Sequence, residues 1–404
     1  MAERAAGMTA RHRIGFLQVA AAVLLAGLPG HTSRPERAID PARLARRIQA
    51  ALDSIQARDG FPGATVAYIL PDGTTGEFAT GLADLETRTP MRPDARMLGA
   101  STGKTYVAAT ALALAKEGRL SLGDPVARWL GREEWYRRVP NASTMTVRQL
   151  LTHSSGVPDH VYDPRYPTER ERQRRANLDW FATPQYAIGF ILDKPAHFAP
   201  GTGFHYTDTG YHLAGLVVEA ACGCRYYDEA IRRFLVPLGL DRTSPSDRRD
   251  LPGLVPGYLD ETNHFGLPTK TMADGKLVWN PRSEWTGGGM VTNSRDLARW
   301  AKALYEGKAL PVPYLADLLG AAVADTAGRR SYGLAVSIAM TELGPKLGHG
   351  GWIPGYRTDM AYYPDWGFSL AIQMNTDRQA VRNKIGPYAL LLAGLVKAEL
   401  AGSR

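Results

Sequence analysis

Cysteine is almost missing from this chain: 404 residues hold two, Cys222 and Cys224, with one residue between them. A scaffold stapled by long-range disulfides is therefore excluded, and so is a zinc site built on Cys spacing. A bond across so short a gap would close a tight ring, so two small buried residues near a helix end are the expectation. There is no H-E-x-x-H and no Cys/His cluster with metal spacing, which argues against metal-assisted hydrolysis. No repeat of solenoid length and no low-complexity segment occurs. No nucleic-acid module signature is found, and no basic stripe interleaved with stacking aromatics. The net charge of +8 thus implies no nucleic-acid partner. Near the start, one apolar run stands out, Ile14 to Leu28, preceded by Arg4, Arg11 and Arg13 and followed by Pro29 and Gly30. It is short for a comfortable membrane span and reads as a signal peptide or membrane anchor over residues 1–33. No Cys follows it, which argues against a lipoprotein. No clean small-residue cleavage site follows either, so an uncleaved anchor stays open. The expected location is exported, periplasmic or secreted, with membrane contact only through this segment.

What is present is ordinary globular material. Hydrophobic residues make up 44% and charged residues 22%, enough for a sizeable core in one large or two interleaved domains. Pro41 to Arg58 carries Leu44, Ile48, Leu52 and Ile55 at helical spacing. "GATVAYIL" and "TTGEFATGLAD", joined by "PDG", read as a strand hairpin. Leu98 to Gly118 and Asp124 to Leu151 read as helical, as does most of Asn177 to Leu240. Arg242 to Asn280 is irregular and polar. Ser331 to Asn375 reads as three antiparallel strands, and Asn383 to Leu400 as a closing helix. Strands near both ends and helices between them predict an α/β (α+β) architecture. An antiparallel sheet flanked by the terminal helices would carry an inserted all-α lobe. Its boundaries are expected at about 41–106 and 286–404 for the sheet lobe and 107–285 for the helical lobe, all within one unit, 34–404. A cleft between the lobes is the natural place for a site.

"STGK" places Ser101 and Lys104 three apart at the start of an apolar segment. On a helix the two share a face. A Ser at a helix mouth and a desolvated Lys one turn deeper can act as nucleophile and base. The same pair also fits an N-cap and a snorkelling side chain. The tetrapeptide alone is a weak pattern.

Four further blocks accompany it in order: "LLTHSSGVPD", "PGTGFHYTDTGYHLAGLVVE", "WTGGGMVTNSRDLARW" and "GHGGWIPGYRTDMAYYPD". Together the five resemble the serine beta-lactamase and penicillin-binding-protein superfamily, in the branch of AmpC-type beta-lactamases, D-alanyl-D-alanine carboxypeptidases, D-aminopeptidases and esterases. The resemblance runs from about Ala50 to the C-terminus. It implies a beta-lactamase/transpeptidase-like fold and an acyl-enzyme hydrolase that needs no cofactor and no metal. Its partner would be a small-molecule ester, amide or peptide, with cell-wall peptide as one candidate. It implies Ser101 as nucleophile, Lys104 as its partner and Tyr206 as proton shuttle. It places His349, Gly350 and Gly351 on a cleft-edge strand, and the N–H groups of Ser101 and Trp352 in an oxyanion hole.

Two departures from the family pattern stand out. Asp208 replaces the Asn of Y-x-N, and an ionised carboxylate only accepts where an amide also donates. H-G-G replaces K-T-G, so a fixed lysine charge for a substrate carboxylate is missing. His349 would supply a hydrogen bond, and a charge only when protonated. Both changes weaken a beta-lactamase reading more than a general hydrolase reading. The expected function is an exported serine hydrolase, esterase- or D-peptidase-like. The alternatives are a D,D-carboxypeptidase or beta-lactamase, and a non-catalytic sensor or scaffold on the same fold. His153 and Ser154 read as structural. The cluster of Arg165, Arg170, Arg172, Arg174 and Arg175 reads as a solvated face, with a rim of the cleft or a contact to anionic polymer as alternatives.

Overall fold

The first helix, α1 (Pro41–Asp59), forms for reasons visible in its ends and its stripe. Asp40 caps it by accepting the Arg43 N–H at 2.9 Å, Pro41 sits at its first turn, and Gly60 ends it in the left-handed region at φ 65°. Leu44, Ile48, Leu52 and Ile55 are its buried face. The computed structural model describes residues 39–263, 265–320, 323–324 and 330–403, so the leader read as a signal peptide or anchor lies outside the described residues.

Two strands follow, β1 (Gly63–Ile69) and β2 (Thr75–Asp84), then the short β3 (Thr89–Pro90) and β4 (Met97–Leu98). After the helical middle come β5 (Ser244–Pro245), β6 (Met272–Ala273), β7 (Lys276–Leu277) and β8 (Met290–Thr292). The C-terminal part supplies β9 (Val323–Ala324), β10 (Arg330–Tyr332), β11 (Ser337–Thr341), β12 (Gly344–Ile353), β13 (Tyr356–Tyr363) and β14 (Phe368–Met374). The main sheet runs β3-β2-β1-β14-β13-β12-β11-β10-β9 and is antiparallel throughout. The two ends of the chain meet where β1 pairs β14, with Val66 opposite Ile372.

Every residue of β1 and β14 is buried. Both faces of these central strands are covered, so their sequences are near-continuous apolar runs rather than alternating ones. On one face, α1 and the last helix, α5 (Ile385–Ser403), pack Leu52 and Leu392 against Val66 and Ile372. On the other, Val107 and Leu112 of α2 (Lys104–Lys116) share a core with Ala67, Met360 and Ala371. That core also takes α3 (Asp208–Cys222) and α4 (Ser294–Tyr305).

Three local expectations are corrected. Leu98 to Gly118 is not one helix: β4 leads into a 3-10 turn, Ala100–Gly103, and only then into α2. Asp124 to Leu151 holds three short helical turns, because Gly131 and Pro140 interrupt it. Ser331 to Asn375 holds four full strands, β11 to β14, and most of β10; two-residue turns such as Pro354-Gly355 hide the breaks. The cysteine expectation is also overturned. Cys222 and Cys224 are disulfide-bonded, with Cα atoms 5.2 Å apart. Gly223, at φ 59°, turns the chain back between them.

Candidate active site

Ser101 sits on the 3-10 turn that feeds α2, and close backbone contacts hold that turn in place. Gly103 and Gly288 lie against each other: a Cβ on Gly103 would come within 2.8 Å of the Gly288 carbonyl carbon. Gly288 itself, at φ 148°, abuts the Ala100 carbonyl. On the sheet side, a Cβ at Gly351 would reach the Gly99 carbonyl oxygen at 2.3 Å. Gly351 is thus required by the protein's own turn. At Gly350 the nearest atom to such a Cβ is the Thr358 carbonyl oxygen at 3.7 Å, an ordinary contact, so a side chain there would fit.

Lys104 is completely buried, and its ammonium has three acceptors. It donates to Ser101 Oγ at 3.0 Å, Asp208 Oδ1 at 2.5 Å and the Gly287 carbonyl at 2.5 Å. The last contact depends on Trp285, held at φ 34° and ψ −113° in the 3-10 segment Pro281–Gly287. Burial pulls the Lys104 ammonium down, but the Asp208 carboxylate and the Tyr206 oxygen more than reverse this, and its proton affinity is raised. Asp208 is the mirror case. Burial pushes its carboxyl up, and the Lys104 charge outweighs that and holds it below the ordinary value. The expectation of Lys104 as a base with lowered pKa is therefore corrected: it rests as a cation.

Asp208 opens α3, where the Thr207 side chain caps the helix by accepting the Gly210 N–H at 3.2 Å. Its own N–H donates to Asp159 Oδ2 at 3.1 Å. Asp159 is buried and also accepts the Val161 N–H at 3.2 Å. Burial, then the neighbouring Asp208 charge, pushes the Asp159 carboxyl up to about 7.

Tyr206 precedes α3 with its hydroxyl buried beside Lys104 and Ser101. Burial raises this phenol, with the Lys104 charge opposing. His153 lies beneath it, ring centroids 4.0 Å apart, and its Nδ1 accepts the Thr207 N–H at 3.1 Å. Burial keeps that imidazole neutral. His153 therefore positions Tyr206, in keeping with a structural reading of the "LLTHSSG" block.

His349, expected to supply a hydrogen bond and a charge only when protonated, has both ring nitrogens engaged within the protein. Its Nε2 accepts from the Tyr332 hydroxyl at 2.7 Å and its Nδ1 donates to the Gly350 carbonyl at 2.6 Å. Burial, with the Lys104 charge adding, pulls it down to about 4. Both ring nitrogens are used, and the ring is neutral near neutral pH. It supports the strand edge rather than presenting a charge. Strand β12 pairs with β11 only as far as Gly348, so Gly350 to Trp352 lie beyond that pairing.

Ser101, Tyr206, Asp208, His349, Gly350, Gly351 and Trp352 all line one cavity of about 360 Å³. Lys104 lies beneath its floor. Asp159, Glu284, Arg170 and Phe265 are further wall residues that reading the motifs did not single out. Glu284 makes no hydrogen bond or ion pair with the described residues; burial, then the Asp208 charge, pushes it up to about 7. "WTGGG" hinted at this segment only through its glycines. Of the arginine cluster, Arg172, Arg174 and Arg175 pair with Glu169 and Glu171 on the helix Arg165–Ala176. Arg170 turns inward over the Phe265 ring, 5.2 Å from its centroid.

An antiparallel sheet, a buried Lys under an accessible Ser at a helix mouth, and a strand edge beside them define a serine hydrolase fold of the beta-lactamase and penicillin-binding-protein class. The chain belongs to the Beta-lactamase family, whose model matches residues 45–395. A D-stereospecific amidohydrolase from Streptomyces sp. superposes with a TM-score of 0.72 at 28% identity, covering 89% of this chain and 99% of that one. D-amino acid amidase from Ochrobactrum anthropi SV3, solved with L-phenylalanine amide, gives a TM-score of 0.72 at 25% identity, covering 89% and 98%. In sequence, esterase EstB of Burkholderia gladioli is 32% identical over 194 residues, covering 46% of this chain and 47% of EstB.

Proposed function

We propose that this chain hydrolyses small esters or amides through an acyl-enzyme on Ser101. The observation that carries the reading is the convergence of Ser101 Oγ, the buried Lys104 ammonium 3.0 Å away and the buried Tyr206 hydroxyl beside them on one cavity. Ser101 Oγ attacks the substrate carbonyl, and the helix mouth favours the charge that develops. The N–H groups of Ser101 and Trp352 are the proposed oxyanion donors. Tyr206 delivers a proton to the leaving group. The same convergence argues against a non-catalytic sensor or scaffold, for which these groups have no use.

Among substrates, the cavity favours those that carry an amino group. Four acidic residues line it: Asp159, Asp208, Glu284 and Asp359. Asp159 is held by backbone donors, Asp208 by Lys104, and Asp359 by Lys346 at 2.8 Å. Glu284 is the one of the four with no hydrogen bond or ion pair among the described residues, and a substrate ammonium is a group that would use its oxygens. This agrees with the structural similarity to D-amino acid amidase from Ochrobactrum anthropi SV3, solved with L-phenylalanine amide. A D,D-carboxypeptidase or beta-lactamase would need a cation for the substrate carboxylate; neutral His349 does not supply it, and the cations lining the cavity are Arg170 and Arg357. We also propose export, guided by the segment over residues 1–33. The test is turnover of p-nitrophenyl acetate and of D- and L-amino acid amides by the protein and its Ser101→Ala variant, with benzylpenicillin in parallel. Loss of all turnover in the variant supports the reading. A lasting Ser101 adduct or hydrolysis with penicillin, without amide or ester turnover, replaces it with the alternative.

A further inference from the structure

Resting on that reading, one question remains: which group takes the Ser101 proton. Lys104 touches Ser101 Oγ but has no free lone pair, because it is a cation with three acceptors. Tyr206 is a neutral phenol, raised by burial. His349 and His153 are held by their own partners, His349 at both ring nitrogens and His153 at Nδ1. What remains in contact with Lys104 is the Asp208 carboxylate, 2.5 Å from its nitrogen.

We propose that Asp208 is the terminal acceptor of the Ser101 proton, reached through Lys104. Lys104 first passes one of its protons to Asp208 Oδ1, which frees a lone pair on Nζ, and as the Oγ–carbon bond forms Ser101 gives its proton to that lone pair. The carbonyl π electrons move onto oxygen. On collapse the carbon–leaving-group bond breaks, and the departing oxygen or nitrogen takes the Tyr206 proton. Asp208 then returns its proton through Lys104 to the phenolate. Every proton is accounted for, and no other reactant enters before the hydrolytic water.

The environment favours this path. Shifting a proton from a buried ammonium to a buried carboxylate removes two charges from a low-dielectric site, so the neutral pair lies near the ion pair in energy. Charged and titratable groups around Asp208 set the balance. They are Lys104 from α2, Tyr206 before α3, His212 within α3, Asp159 and His160 from the preceding segment, and Glu284 from the 281–287 turn. Ionised Asp159 and Glu284 raise the proton affinity of Asp208, while Lys104 lowers it. An amide at position 208 could accept a hydrogen bond from Lys104 but could not take its proton.

The test is Asp208→Asn, with folding checked by thermal melting and turnover of p-nitrophenyl acetate followed from pH 5 to 9. The expected result is a fall in kcat of about 10²-fold with KM nearly unchanged. The acid limb of the pH profile should move as well. A folded Asp208→Asn variant with kcat and pH profile within two-fold of the parent would overturn the relay. Should Asp208→Asn fail to fold, the solvent isotope effect on the parent's acylation decides: an inverse or absent effect contradicts proton transfer in that step. Turnover surviving in Ser101→Ala would instead sink the acyl-enzyme reading itself, so the two failures are distinguishable.

Discussion

Gly103 and Gly288 touch backbone to backbone, and this contact places the Gly287 carbonyl on the Lys104 ammonium. The nucleophile's turn, the lysine and the 281–287 segment are thereby locked into one unit. Gly103 itself has ordinary helical angles, φ −61° and ψ −23°, so alanine there is permitted by the backbone and forbidden only by the neighbour.

Gly103→Ala therefore separates packing from conformation. Overpacking should cost about 1–3 kcal/mol in thermal or denaturant unfolding. Activity should fall further than stability, by about 10²-fold in kcat/KM, because the Ser101 turn must move. A variant with parental kcat/KM would show that the contact does not fix the site.

His349 links pH to stability. Its ordinary value is 6.5 and burial brings it to about 4 in the folded chain, so the folded state prefers the neutral ring. That stability is fully present above pH 6.5 and is lost as pH falls from there through about 4. His160, at about 3, and His212, at about 4, act in the same direction. Each contributes a slope of about 1.4 kcal/mol per pH unit between its two values. His349→Gln keeps a donor for Gly350 and an acceptor for Tyr332, and should reduce the slope measured in urea by about one proton. An unchanged slope would contradict a neutral buried His349.

Glu284→Gln tests substrate choice. Hydrolysis of amino acid esters with a free amine should fall about 10- to 100-fold in kcat/KM, while N-acetylated analogues should change little. Equal losses for both kinds would remove the ammonium role.

The cysteine bridge closes a very small ring. In the chain-entropy account small loops gain least, so Cys222→Ser combined with Cys224→Ser should leave the melting temperature within about 2 °C. A larger drop would make the bridge a structural element of α3.

Much of this molecule is legible in its sequence, and the reasons differ by residue. The stripe of Leu44, Ile48, Leu52 and Ile55 announces α1 because one helical face is buried. Ser101, Lys104, Tyr206 and His349 could be named because the ordered blocks resemble a family. Their states could not. Whether Lys104 is a base or a cation depends on Asp208, 104 positions away in sequence. The neutrality of His349 depends on burial and on the charge of Lys104, 245 positions away in sequence. Glu284 carries no motif; it matters because the turn of Trp285 aims its segment at the cavity. The breaks after β11 and β12 are hidden because turns of two residues leave little trace in an apolar run.

The central claim is an acyl-enzyme on Ser101, and the most direct measurement is intact mass after rapid acid quench during turnover of p-nitrophenyl acetate. The account predicts one added acetyl group, located on the peptide containing Ser101 and absent from Ser101→Ala. Turnover without any adduct, or an adduct that persists in Ser101→Ala, would contradict it.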